Sequence, residues 1–401
     1  MTAILVRIDP AFVTFMRLDG SSIVELDKAL YGCVEAAHLW YRMLTGKLEE
    51  YGLVPNPFEP CVFNMTGGSG EQLSITLHVD DLLVTTKSQC DINHFFNYLR
   101  SEFKEITVHE GKLLNYLGMS FDFSTDGQVA ITMRNTVEGI LKGCGVDKCR
   151  KTPATESLFD TREDAPKASE EDRKWFHTHV MKLQYLAKRV KPECLTAVNF
   201  LSSRVQCCDS DDLAKLRRLL GYVLETKERG GCLRIGDAVD VRVYVDAAYG
   251  VHTDGRSQSG MYMTIGEAGP VYAKSGKQRI VTKSSTEAEL VGLSDHAGQG
   301  ISMRNFLVAQ GYKMGPLVLY QDNTSCMAII ARGGPTLERS KHISIRYFWL
   351  CERIDSGEIA VVHRRTEMMY ANVLTKPITG AQFVVEREGL TNWEGQWPKT
   401  A

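Results

Sequence analysis

Two adjacent aspartates, Asp80 and Asp81, sit between apolar runs in LSITLHVDDLLVTT, residues 73–86. Strand alternation sends neighbouring side chains to opposite faces, unless a tight hairpin turn presents both together. Carboxylates at such a tip are good ligands for hard cations, and a pair of Mg²⁺ ions can clamp an in-line phosphoryl displacement. An exposed polar β-turn is the other reading, and spacing alone leaves both open. A second acidic set lies downstream. Asp246 falls inside the strand-like run VRVYVDAAYG, flanked by Val243, Val245 and Ala247. A carboxylate in a buried strand is costly unless it is paired or holds a metal. Asp322 ends the run LVLYQD, where its carboxylate can face the same edge as Asp246. Between them SSTEAEL opens a long helix, and Ser284 and Glu287 have capping-box spacing, which gives Glu287 a structural task and leaves Glu289 free for chemistry. The helical wheel does not separate the two glutamates: both lie roughly 80° from the Leu290, Leu293, Ala297 and Ile301 stripe. Taken singly, each acid also reads as a cap or turn residue.

These side chains need elements to hold them. The sequence predicts a helix over 35–51, with Leu39, Met43, Leu44 and Leu48 on one side. The Pro-rich extended stretch PNPFEPCVF follows, then a Gly-rich turn at Gly67, Gly68 and Gly70. After the strands around Asp80 and Asp81 come a polar helix near 91–103 and alternating strands around 115–133. Thr152 to Ala168, with Pro153 and Pro166, reads as a linker. Residues 170–228 have helical periodicity, with breaks near Pro192 and Asp209. Lys182, Lys188, Arg189, Lys191, Lys215, Arg217, Arg218, Lys227 and Arg229 cluster there. Lys188, Arg189, Arg217 and Arg218 are the candidates to line a nucleic-acid groove, with a solvated helix face as the alternative. From Val239 the runs VRVYVDAAYG, SGMYMTIG and PVYAKSG read as strands. A helix from Ser284 to about 309, the strand LVLYQD, a short helix, a helix near 342–355, the strand EIAVVH and a short helical piece near 370–376 complete the series. That order is mixed α/β, with a central parallel element that needs helical crossovers.

Composition narrows the class. The 401 residues are 43% hydrophobic and 24% charged, as in globular proteins. A net charge of -2 means that any nucleic-acid surface is a local patch. Eleven cysteines without paired metal-ligand spacing read as reduced thiols in an intracellular protein. Arg7 and Asp9 break what would be an apolar signal core, so secretion is not expected. No apolar run reaches the roughly 18 residues of a membrane span.

The order and surroundings of these residues carry a resemblance. KALYGCVEAAHLWY, then FEPCVFN and HVDDLLV, closely resembles the reverse-transcriptase palm of copia-type LTR retrotransposons. LNYLGMSFDF at 114–123 resembles the family's primer-contact region, with Gly118 matched. YLAKRVKP and LLGYVLETKERG resemble its thumb and connection. VYVDAAYG, KSSTEAEL, YQDN, SKHI and ANVLTKP, in that order over about 240–380, resemble its ribonuclease H domain. The resemblance implies catalytic metal ligands at Asp80 and Asp81, and at Asp246, Glu289 and Asp322. It chooses Glu289 as the glutamate before the helix's first core leucine. It also places His342, of SKHI, near the substrate phosphate or in product departure; a histidine that merely starts a helix is the other reading. Three departures stand out. Glu35, Ala37 and His38 occupy positions where the family often has Gln, Pro and Arg. The palm's third aspartate, in a D-x-x-x-A-[FY] setting before KALYG, is not met by Asp9 or Asp19. The family's A-D-x-L-T-K-P is here Ala371-Asn372-Val373-Leu374-Thr375-Lys376-Pro377, so Asn372 offers a metal a carbonyl oxygen without the charge.

The implied fold class is mixed α+β: a partial palm and thumb over 1–151, linker and helical connection over 152–237, a ribonuclease H-like mixed sheet with flanking helices over 238–380, and a C-terminal tail over 381–401. The implied function is hydrolysis of the RNA strand of an RNA–DNA hybrid with two Mg²⁺ ions, Mn²⁺ being the alternative, beside an incomplete polymerase site. RNA–DNA hybrid or primer–template is the implied partner, and no membrane is. Fingers and integrase segments are expected upstream, and a cytoplasmic, virus-like-particle or nuclear location follows. A catalytically inactive nucleic-acid-binding remnant is the alternative.

Overall fold

The computed structural model describes residues 34–393 apart from 235, 237–238, 267–268 and 332–340, with backbone alone at 34 and 341–344. Asp9, Asp19 and the KALYG string at 28–32 lie outside the described residues, and so does the side chain of His342. Two compact units part between Ile106 and Thr107.

The first unit is helix α1 (Val34–Glu50), the strands β1 (Val54–Asn56), β2 (Glu59–Thr66), β3 (Gln72–His78) and β4 (Asp81–Thr85), and helix α2 (Gln89–Glu102). The strands form an antiparallel sheet in chain order. Alternation along β3 buries Leu73, Ile75 and Leu77, which share one core with Leu44, Leu48, Phe63, Phe95 and Leu99. The expected stripe of α1 is half right. Leu44 and Leu48 are buried, but Leu39 and Met43 are 50% and 44% exposed. Each precedes an inward residue, Trp40 or Leu44, and one step turns a helix by about 100°. Trp40 and Tyr41 fill the inner side instead.

In the second unit the strands β5 (Leu113–Tyr116), β6 (Met119–Asp122) and β7 (Gln128–Thr132) are completed by β8 (Gly231–Arg234), far along the chain. This pairing ties residues 107–151 to the later part of the protein, so the break falls at 106 and not at 151. Four helices follow β7: α3 (Arg134–Leu141), α4 (Glu170–Ala187), α5 (Leu195–Ser203) and α6 (Ser210–Glu225). Asp209 starts α6 with a full capping box closed by Asp212, which is the break expected there. The stretch 152–168 is not a linker. Thr152, Ala154, Leu158, Phe159 and Ala165 are buried, and Phe159 meets Phe200 edge-on with ring centres 5.6 Å apart.

The largest sheet holds β9 (Val241–Ala248), β10 (Gln258–Ile265), β11 (Pro270–Lys277), β12 (Leu317–Gln321) and β13 (Ile359–His363), in the order β11-β10-β9-β12-β13. The first three are antiparallel, while β12 runs parallel to both β9 and β13. The crossovers are helices: α7 (Ser285–Ala309), then α8 (Thr324–Ala331) and α9 (Lys341–Asp355). Helix α7 lies close on β9 because Gly300 has no side chain; a Cβ there would come within 2.7 Å of Leu317 Cδ2 and 3.0 Å of Val243 Cγ2. Residues 381–391 are not a tail. They belong to helix α10 (Gly380–Thr391), which buries Phe383 and Leu390.

Candidate metal centre

Asp246 lies on β9 opposite Gly260 of β10. Tyr244 of β9 pairs in parallel with Tyr320 of β12, so Asp246 and Asp322, each two residues further on, come out at the same edge of the sheet. Ser284 Oγ accepts from the Glu287 amide at the start of α7, and Glu287 reaches back to the Lys283 amide at 2.7 Å. Glu287 is thereby tied up, and Glu289 turns inward. One oxygen each from Asp246, Glu289 and Asp322 lies within 4.8 Å of the other two. Asp246 and Glu289 are both 5% exposed, and Asp322 is half-buried.

Three residues that periodicity did not single out orient these acids. Gln321, fully buried, donates from Nε2 to Glu289 Oε2 at 3.2 Å and accepts from the Asp322 and Asn323 amides at 2.8 Å. Thr375 Oγ1 donates to Asp246 Oδ2 at 2.5 Å, and Thr366 Oγ1 donates to Asp322 Oδ2 at 2.9 Å. The turn bearing Thr375 reaches Asp246 because residue 260 is glycine: a Cβ there would come within 2.7 Å of the Ala371 carbonyl oxygen and 2.8 Å of Thr375 Cγ2. Asn372 is buried in the same turn, donating from Nδ2 to the Thr366 carbonyl at 3.3 Å.

Burial, and then the neighbouring Asp246 carboxylate, push Glu289 up to about 9. Burial also raises Asp246, and Asp322 adds to the rise, against Lys376 and the Thr375 hydroxyl. Three gathered carboxylates with so little positive charge beside them are a site short of a cation. All the donors are hard oxygens, so the set fits Mg²⁺ or Mn²⁺ better than a softer metal.

Asp80 and Asp81 lie at an exposed hairpin tip, with His78 paired to Asp81 across a two-residue loop. Val79 has a φ of 57°, unusual for a β-branched residue, and Trp40 Nε1 donates to its carbonyl at 2.8 Å. The two aspartates thus share one exposed turn, and no third acid joins them among the described residues. The basic cluster divides. Lys188, Arg189 and Arg217 are exposed, with Arg189 stacked on Tyr185 at 3.5 Å and Arg217 over Trp175 at 5.5 Å. Those two aromatics are ten residues apart on α4, about 15 Å by helix rise, so the basic residues form a strip. Arg218 is partly buried and donates to Thr152 Oγ1 at 2.8 Å. Lys191 faces no solvent at all: its Nζ donates to Thr226 O, Thr226 Oγ1 and Arg229 O beyond the end of α6.

Residues 10–155 match the model of the reverse transcriptase (RNA-dependent DNA polymerase) family. The chain is 28% identical over 378 residues to the retrovirus-related Pol polyprotein from transposon RE2 of Arabidopsis thaliana, covering 93% of this chain and 25% of that protein. It is 24% identical over 374 residues to the corresponding polyprotein from transposon TNT 1-94 of Nicotiana tabacum, covering 91% of this chain and 28% of that one. The fold is similar to a foamy viral protease-reverse transcriptase solved in complex with RNA/DNA hybrid, with a TM-score of 0.51 and 11% identity over 87% of this chain and 42% of that chain. The chain spans about a quarter of the length of the polyproteins it matches. Over nine-tenths of its length the chain is similar to the retrovirus-related Pol polyproteins of these plant transposons.

Proposed function

We propose that the unit from residue 107 onward hydrolyses the RNA strand of an RNA–DNA hybrid, with Asp246, Glu289 and Asp322 as the ligands of divalent metal. The observation that carries this reading is the convergence of the three carboxylates at one sheet edge, from positions 43 and 33 residues apart in sequence. When bound, a pair of Mg²⁺ ions supplies an activated water and stabilises the leaving 3′ oxygen. The protein's own part is to hold that charge. Asp246 and Glu289 are fixed by buried hydrogen bonds to Thr375 and Gln321, and the half-buried Asp322 leaves the centre open on one side. Recognition of a hybrid needs backbone shape and 2′-hydroxyls, not base edges, which suits the exposed basic strip of Lys188, Arg189 and Arg217. Asp80 and Asp81 are, within the same reading, ligands of the polymerase palm.

The test is cleavage of a labelled RNA–DNA hybrid by the purified chain across a Mg²⁺ and Mn²⁺ series. Cleavage is expected to be slow and confined to the RNA strand, and Asp246→Asn should remove it at every metal concentration. If the parent chain binds hybrid but never cuts it, the alternative of a non-catalytic nucleic-acid-binding remnant takes its place.

A further inference from the structure

The turn that carries Thr375 to Asp246 is held from outside the sheet. Its apolar side chains, Ala371, Val373 and Leu374, are buried in one core with Leu183 of α4 and Phe200 of α5. The core beneath Glu289 is a different one, in which Leu290 and Leu293 of α7 pack with Val243 and Leu319. Two hydrogen bonds then fix Val373 itself. Thr196 of α5, 3% exposed, donates from Oγ1 to the Val373 carbonyl at 2.6 Å, and the Val373 amide donates to the Glu386 carboxylate of α10. A carbonyl can only accept, so the first bond needs a hydroxyl at 196. Ser275 Oγ of β11 occupies the other side of that hydroxyl at 3.4 Å and is itself held by Gln258 Nε2 at 2.8 Å. Two residues beyond Val373, Thr375 Oγ1 makes its bond to Asp246 Oδ2. The run between them has little slack, because the Thr375 amide donates back to the Asn372 carbonyl at 2.9 Å.

We propose that Thr196 is a positioning residue of the metal centre: through Val373 it sets the Thr375 hydroxyl against Asp246 Oδ2, and so leaves Oδ1 as the oxygen that meets the cation. The inference rests on the reading of Asp246, Glu289 and Asp322 as metal ligands. Partners that hold a ligand's second atom fix its orientation and its affinity for metal, and here the partner is itself held from one step further out. Helix α5, which lies outside the ribonuclease H-like stretch expected from residue 238, thereby becomes part of the frame of the centre. The acids converge at one sheet edge, but two separate cores keep them in register.

The experiment is a Mn²⁺ titration of the full chain without nucleic acid, read by the paramagnetic resonance of free ion. Thr375→Val, which removes the bond to Asp246 directly, should weaken binding by about tenfold or more, and Thr196→Val by about fivefold. Thr196→Ser keeps the hydroxyl and should bind within about twofold of the parent. The decisive measurement is the pair. In a chain already carrying Thr375→Val, adding Thr196→Val should weaken binding by less than about twofold, since the path it acts through is gone. Thr226→Val removes another buried hydroxyl of the helical layer and should leave the titration unchanged. The proposal is wrong if Thr196→Val binds as tightly as the parent, if its effect is the same with and without the Thr375 hydroxyl, or if Thr226→Val matches it. Glu289→Gln separates this inference from the reading beneath it. If that variant binds like the parent, the metal centre fails and the positioning role with it; if it loses binding while Thr196→Val does not, only the positioning role fails. Melting curves in chelator establish that each variant folds; should Thr196→Val not fold, Thr196→Ala decides, alone and with Thr375→Val.

Discussion

The acidic centre should make the metal-free protein less stable than it would be with one acid fewer, and Glu289→Gln tests this. Glu289 has its ionisation raised from 4.5 to about 9 by burial and by Asp246. For an acid shifted upward, nothing is lost below pH 4.5, where folded and unfolded chains are both protonated. The penalty grows through the window from 4.5 to 9, as the unfolded chain ionises and the folded one does not, and it is complete above 9. At pH 7 the penalty comes to about 3 kcal/mol, at roughly 1.4 kcal/mol per unit. Glutamine keeps an oxygen for the Gln321 amide while removing the charge. In chelator at pH 7 the variant should therefore melt roughly 6 °C higher than the parent. The two should converge near pH 4. Adding Mg²⁺ should reverse the order, because binding stabilises only a folded state that has the ligands. The assay is a set of melts at pH 4, 7 and 9, with chelator or with Mg²⁺. A variant no more stable than the parent in chelator at pH 7 and 9 would refute the account of three carboxylates short of a cation.

Three further outcomes concern side chains on the helical layer. Lys191→Met keeps the stem of the side chain but strands the Thr226 and Arg229 carbonyls, and should cost about 3 kcal/mol in urea unfolding; an unchanged midpoint would mean that water takes the ammonium's place. Replacing Lys188 and Arg189 by alanine should flatten the logarithmic salt dependence of hybrid binding by about 1.5, the counterions of two phosphates. Replacing Arg218 should instead lower stability, through its bond to Thr152. A salt slope indifferent to Lys188 and Arg189 would return that strip to a solvated helix face.

Much of this architecture is legible in the sequence where one residue type dictates one local outcome. The Ser284 cap, the capping box at Asp209, the alternation of β3 and the aspartate at the edge of β9 are all of that kind. What periodicity missed depends on which neighbour arrives from far away. Leu39 and Met43 look as apolar as Leu44, but α1 turns them outward. Prolines at 153 and 166 suggested a tether, yet Leu158 and Phe159 are covered by helices whose position no local pattern reveals. Lys191 looked like one more surface cation, and only the end of α6 makes it a buried donor. In the centre, the acids are legible through the order of motifs, whereas Gln321, Thr366 and Thr375 are ordinary polar residues until the sheet closes. A polar residue beside an acid at a strand end, such as Gln321 before Asp322, was the available signal.

The closeness of Gly300 to the sheet makes helix α7 a lever. Gly300 lies eleven residues beyond Glu289, about 16 Å along the axis. Val245 Cγ1 lies 3.2 Å from where a Cβ of Gly292 would sit, so the helix also approaches the sheet closely between them. A methyl group at 300 would wedge the far arm off Leu317 and Val243, and a stiff rod passes such a tilt to its other end, where it changes the gap between Glu289 and Asp246. Metal coordination tolerates errors of only a few tenths of an ångström in its ligands. The spacing of the three carboxylates is therefore expected to depend on a position that bears none of them, and a search by side-chain chemistry alone would pass over it.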